Sequence, residues 1–151
     1  LEKLVREDRT RDGAPIVLDA SAALRVVLAS PGIEEAVGTL ERASLVLAPS
    51  LFASETANAL WKLGSKGLFP PETLTERWEM AMALPDRLCP DQDLAVEALS
   101  EASRHGHPVY DLLYAVLARR EGCRVLTFDR RLASLLRKLG IGVLGGETAA
   151  T

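Results

Sequence analysis

The sequence predicts an α/β protein, a three-layer α/β/α sandwich around a central parallel sheet of four to five strands. Two observations carry that expectation. Short apolar runs alternate with longer stretches of helix-forming residues along nearly the whole chain. Pro, Gly and Ser punctuate the junctions, where turns and helix ends need them. Strands alternating with helices imply parallel pairing through right-handed crossovers, with helices on both faces of the sheet. The 151 residues fit one domain with a hydrophobic core of its own.

Taken in order, Pro15-Ile16-Val17-Leu18 reads as a buried strand, followed at once by Asp19 and a helix over Ala20 to Leu28. Ser30-Pro31-Gly32 breaks that helix, and Ile33 to Ala43 forms the next. Leu45 to Ala48 is a second strand, closed by Pro49. Ser50 is a suitable N-cap for a helix to about Lys66, which Gly67 ends. Pro70-Pro71 starts a helix that runs through Trp78 to Ala83. Leu88-Cys89 is a short third strand, after which Asp91 caps a helix to about Arg104. The turn His105-Gly106-His107-Pro108 leads into a strongly apolar helix, Val109 to Arg120. Arg124 to Phe128 is the fourth strand, Asp129 to Leu139 a helix, and Ile141 to Leu144 a brief last strand. No repeat or low-complexity tract interrupts this order.

The domain is expected over residues 15–146. Residues 1–14 read as a charged extension, added or partner-derived, because eight of the first twelve positions are charged and little apolar surface is left to dock. Residues 147–151 read as a tail. Composition is that of a globular protein, with 48% hydrophobic and 26% charged residues. No apolar run is long enough to span a bilayer and no signal segment opens the chain, so a cytoplasmic protein without a membrane partner is expected. Cys89 and Cys123 lie far apart, without metal-like spacing or a disulfide framework. The net charge of −3 excludes a protein that is basic all over. Between Arg119 and Lys138, however, seven basic residues face two acids, so either a solvated helix face or a nucleic-acid contact is open.

Chemistry is sought beyond the carboxyl ends of the strands, where open α/β sheets bind ligands. Asp19 follows the first strand and Asp129 the fourth. Glu55 lies in the second turn of the helix after the second strand, and Asp111 in the first turn of the apolar helix. Each has a structural alternative. Asp19 and Asp129 stand where an N-cap belongs, and Glu55 lies at the edge of an apolar face beside Asn58 and Lys62. Asp111 is more unusual, because a helix apolar nearly all round is buried and a carboxylate within it needs a partner. Four carboxylates at one sheet end cannot all ionise cheaply. A hard divalent cation with oxygen ligands, Mg2+ or Mn2+, removes that conflict, whereas zinc prefers Cys and His.

At these residues the chain resembles the PIN-domain family, and within it the VapC-type toxin ribonucleases of toxin–antitoxin pairs. Val17-Leu18-Asp19-Ala20-Ser21-Ala22 is similar to the family's opening strand and first acid. The stretch Ala48 to Leu60, with Glu55 and Asn58, is similar to its second acid and nearby Asn. Tyr110-Asp111-Leu112-Leu113-Tyr114-Ala115 resembles the third segment and Leu126-Thr127-Phe128-Asp129-Arg130-Arg131-Leu132 the fourth. The resemblance runs from about Pro15 to Leu144. It implies a PIN-like fold and an endoribonuclease with Asp19, Glu55, Asp111 and Asp129 as catalytic metal ligands or their immediate support. Ser21, Asn58 and Thr127 would support them. It also implies an RNA substrate, a small antitoxin partner, and a homodimer formed through the segments 34–43 and 60–83. Some members carry a further acid after the fourth; Arg130 and Arg131 stand there instead, so a second metal is not implied. Those arginines either hold substrate phosphates or face solvent.

Other signals are weaker. Gly140 to Gly145 fits G-x-G-x-x-G by spacing but follows a helix, so the dinucleotide reading fails. His105 and His107 read as loop residues rather than metal ligands, and Trp61 and Trp78 as core or helix-packing residues. A phospho-receiver needs paired acids after the first strand, where Ala20-Ser21 stands, and an Asp-x-Asp phosphatase fails at Ser21. A processing or DNA-directed nuclease and a catalytically silent PIN module remain as alternatives.

Overall fold

In a computed structural model that describes residues 11–146, the strands are β1 (Ile16–Leu18), β2 (Val46–Pro49), β3 (Arg87–Cys89), β4 (Arg124–Leu126) and β5 (Val143–Leu144). They pair parallel throughout in the order β3-β2-β1-β4-β5. The helices between them are α1 (Ala20–Val27), α2 (Glu34–Arg42), α3 (Leu51–Ser65), α4 (Pro71–Met82), α5 (Asp91–His105), α6 (Val109–Glu121) and α7 (Arg130–Lys138). Residues 1–10 and 147–151, which hold most of the expected extension and all of the expected tail, lie outside the described residues.

Successive strand side chains point to opposite faces, and this divides the core into two. Ile16, Leu18, Val46, Ala48 and Leu126 pack with Ala22, Val26, Leu40 and Phe52, from α1, α2 and α3. Val17, Leu47 and Val125 pack on the other side with Leu112, Val116 and Leu136, from α6 and α7. The expected three layers are therefore present. Helix α6 is buried along most of its length, from Leu112 to Ala118. Among the described residues, no helix is long and apolar enough to cross a membrane.

Several local expectations change. Ser50 makes no side-chain cap for α3. Its Oγ accepts from the Asp91 N–H at 3.0 Å, while Asp91 Oδ1 accepts from the Leu51 N–H at 3.0 Å. Each residue thus caps the other's helix, and β2 and β3 end together. The fourth strand stops at Leu126 rather than Phe128, because the Phe128 N–H turns to Ser21 Oγ at 3.0 Å instead of to the ladder. The last strand begins at Val143, since the Ile141 N–H closes α7 on Leu136 O at 2.9 Å. Trp61 is 64% exposed and is no core residue, whereas the Trp78 indole donates to Ala53 O at 3.0 Å and joins α4 to α3. Residues 11–14 lie against the domain: Arg11 pairs with Asp86 at 2.6 Å, and Gly13 bridges Ala43.

Candidate active site

From β1 the chain winds outward through β2 and β3, then returns to lay β4 and β5 on the other side of β1. The direction of winding reverses between β1 and β4, and the crevice beyond their carboxyl ends is where such sheets hold ligands. The chain places Asp19 at the end of β1, and Thr127, Phe128 and Asp129 at the end of β4.

Asp19 is 4% exposed and fulfils both readings of its position. It caps α1, accepting from the Ala22 N–H at 3.0 Å. The same carboxylate accepts from Thr127 Oγ1 at 2.7 Å and from Ser21 Oγ at 2.8 Å. Burial pushes its pKa up to about 7, against the pull of these three hydrogen bonds, and the charge of Asp129 adds to the rise. A carboxylate so well donated to, yet still raised, is short of positive charge.

Ser21 and Thr127 do more than donate. Ser21 Oγ accepts from the Phe128 N–H at 3.0 Å, and Thr127 Oγ1 accepts from the Asp129 N–H at 2.9 Å. The two hydroxyls are 3.3 Å apart and tie the start of α1 to the turn before α7. Asp129 in turn caps α7, its Oδ1 accepting from the Arg131 and Leu132 N–H groups at 2.9 and 3.2 Å. Gly145 closes this corner from β5. Its φ is +96°, and a Cβ there would stand 2.5 Å from the Thr127 carbonyl oxygen, so only glycine fits.

Glu55 and Asp111 enter from the helices. Glu55, on α3, accepts from the phenolic O–H of buried Tyr114 at 2.5 Å. Burial raises its pKa, the Tyr114 hydrogen bond opposes the rise, and Asp111, Asp129 and Asp91 add to it. Asp111, in the first turn of α6, has Oδ2 2.8 Å from His107 Nε2. Gly106, left-handed at φ 59°, ends α5 and turns the chain so that His107 stands over that first turn. Tyr114 lies one turn along α6 from Asp111 and joins the two acids' surroundings.

The acids therefore share one electrostatic neighbourhood, although among the described residues no three Asp, Glu, His or Cys side chains stand close enough to chelate one ion directly. The donors are all hard oxygens, which fits Mg2+ or Mn2+ and not zinc. Magnesium ordinarily keeps several waters and takes only one or two carboxylates, so open spacing suits it better than a tight cage.

The remaining expected residues separate. Asn58 is exposed and makes no hydrogen bond to Glu55 among the described residues. Arg119 and Arg120 pair with Glu97 at 2.6 and 2.8 Å, at the end of α6 away from Asp111, so part of the basic run is structural. Arg130 lines a cavity of about 380 Å3 with Thr127, Phe128 and Asp129. Arg131 faces a different cavity, with His107. Tyr114, His107 and Asp91 were not singled out as site residues from the sequence. For Tyr114 a signal existed, because a tyrosine in an otherwise apolar buried helix needs a partner for its hydroxyl.

A family model described as PIN domain matches residues 16–138. Ribonuclease VapC3 of Pyrobaculum aerophilum is 34% identical over 122 residues, covering 78% of this chain and 92% of that protein. Among solved structures, the fold is similar to that of PAE2754 from Pyrobaculum aerophilum, with TM-score 0.69 and 24% identity over 90% of this chain and 93% of that one. It is also similar to FitAcB from Neisseria gonorrhoeae, with TM-score 0.55 and 19% identity over 87% of this chain and 97% of that one.

Proposed function

The chain belongs to the PIN-domain family, and on that premise we propose that it is a metal-dependent endoribonuclease, the toxin of a toxin–antitoxin pair, with Asp19, Glu55, Asp111 and Asp129 as its site. The observation that carries this reading is Asp19. It is a buried carboxylate at the switch point of the sheet, held by two hydroxyls and a backbone amide and still raised to about 7. Such a group is suited to release its proton to solvent when a divalent cation takes its place. The similarity to ribonuclease VapC3 supports RNA as the substrate.

A bound Mg2+ or Mn2+ would supply an acidified water and neutralise charge on the phosphodiester. The chain's own residues position that chemistry. Ser21 and Thr127 fix the rotamer of Asp19, Tyr114 holds one oxygen of Glu55, and His107 holds one oxygen of Asp111. The cluster of acids would repel the phosphate backbone in the absence of the cation, so metal would aid binding as well as cutting.

Two partners complete the proposal. A small antitoxin would block the acidic crevice, as the VapC-type resemblance implies. A second copy would pair through the segments 34–43 and 60–83, where Trp61 and Leu68 are 64% and 59% exposed. Light scattering at micromolar concentration that showed only monomer would remove the homodimer from the account.

The experiment is cleavage of a pool of structured RNAs by purified protein with magnesium or manganese, beside an EDTA control and Asp19→Asn. Cutting that needs both the metal and Asp19 is expected. Absence of cutting, together with absence of manganese binding by calorimetry, would reduce the chain to a silent PIN module.

A further inference from the structure

Beside the acidic crevice lies a second cavity of about 220 Å3, walled by His105 and His107 on one side and by Arg131, Ser134, Leu135 and Lys138 on the other. We propose that this cavity holds a backbone phosphate of the RNA strand, flanking the phosphate that is cut; this rests on the nuclease reading above.

Position argues for it first. The cavity shares both walls with the acids. His107 Nε2 is on Asp111 Oδ2, and the Arg131 N–H is on Asp129 Oδ1. A strand with one phosphate at the acids would therefore bring a neighbouring phosphate to this opening.

Charge argues next. Arg131 and Lys138 lie two turns apart on one face of α7, with Ser134 between them. Neither makes an ion pair among the described residues, in contrast to Arg119 and Arg120, which are both spent on Glu97. Of the two imidazoles, His107 is directed at Asp111 and His105 at Glu101, 3.2 Å away, and Glu101 is itself buried between Arg104, His105 and Arg119. The cavity thus presents two uncommitted cations and a hydroxyl, in a chain whose net charge is −3. For a polyanion that must approach a cluster of carboxylates, it is a foothold of the opposite sign. Arginine adds planar, paired N–H donors suited to phosphate oxygens, and lysine a point charge.

The test uses a quirk of composition. His105 and His107 are the chain's two histidines and both line this cavity, so long-range 1H–15N imidazole spectra report on it; His107 also senses Asp111, and calcium is therefore saturated before RNA is added. A short single-stranded oligoribonucleotide is titrated in calcium, a cation with looser geometry than magnesium, with the strand checked for integrity. Expected are shifts of both imidazoles in the parent. In the Arg131→Gln/Lys138→Gln double variant, binding should weaken about three- to tenfold. The slope of log affinity against log salt should become shallower by about 0.7, the value for one phosphate on a single strand. A charge-matched control, Arg87→Gln/Arg124→Gln, at the starts of β3 and β4 away from the acids, is expected to keep the parent's slope. Manganese titration shows that the double variant retains its acids and its fold. If the parent binds and cuts RNA but the double variant keeps both slope and affinity, the phosphate subsite is wrong and the nuclease stands. That result would leave the cavity to an acidic side chain of a protein partner. If the parent binds no RNA at all, the nuclease reading fails and takes this proposal with it.

Discussion

Thr127 Oγ1 lies 2.7 Å from Asp19 Oδ2, across 108 residues of sequence, and the same oxygen receives the Asp129 N–H at 2.9 Å. One hydroxyl thus fixes both acids at the switch point of the sheet. Thr127→Val keeps the shape and removes the hydroxyl, leaving a buried carboxylate short of a donor and a backbone N–H without an acceptor. A loss of about 1–3 kcal/mol in stability is expected by urea unfolding. RNA cleavage should fall with it, and Thr127→Ser should recover most of both.

Tyr114 is expected to matter chiefly through Glu55. Tyr114→Phe keeps the ring in its buried seat and removes the O–H that reaches Glu55 at 2.5 Å, together with the acceptor for the Ala20 N–H. Removing the hydrogen bond that opposes the rise lets the Glu55 pKa climb further. Manganese affinity should drop about 10- to 100-fold, as for other partners of metal-binding carboxylates. Calorimetry at neutral pH would measure it; unchanged affinity would make Tyr114 a packing residue.

Asp19 sets a pH dependence whose sign is fixed. Its folded pKa, about 7, is above its ordinary value of 3.8, so the metal-free folded state binds more protons than the unfolded chain between those values. That contribution to stability is full below about pH 4 and is lost as pH rises through about 7. At about 1.4 kcal/mol per unit it amounts to as much as about 4 kcal/mol. Metal-free Asp19→Asn should lack this component, so the stability difference between variant and parent should grow in the variant's favour from pH 4 to pH 7 and then level. A difference that stays flat across this range would mean that Asp19 is ionised throughout.

Metal binding should report the same proton. At pH 6 Asp19 is largely protonated, so manganese binding should release close to one proton and tighten as pH rises to about 7. Titration calorimetry in buffers of different ionisation enthalpy measures the release. Binding heats that do not depend on the buffer would contradict it.

What the sequence made legible follows from locality. Val17-Leu18-Asp19 and Leu126-Thr127-Phe128-Asp129 each carry a strand, its end and its acid within a few residues, so the apolar run itself points to the acid. Pairings between distant segments were not legible. Glu55 and Tyr114 are 59 residues apart and meet because α3 and α6 lie on opposite faces and converge at one end of the sheet. Ser50 and Asp91 each looked like a cap for its own helix, and only the adjacency of β2 and β3 lets them exchange roles. His107 is close to Asp111 in sequence, yet its part depends on the left-handed turn at Gly106, which a loop reading did not resolve. Of the two places expected for Trp61, core or helix packing, the core is excluded by its 64% exposure; it lines a groove with Pro71, Leu74 and Trp78 of α4 instead.

The central claim is that four acids from four segments act as one hydrolytic site. Single-turnover RNA cleavage by Asp19→Asn, Glu55→Gln, Asp111→Asn, Asp129→Asn and the quadruple variant tests it most directly, since residues that act as a unit are strongly non-additive. The account predicts that each single variant loses nearly as much rate as the quadruple, with the fold intact. Losses that add independently, or full activity in any one of the four, would contradict it.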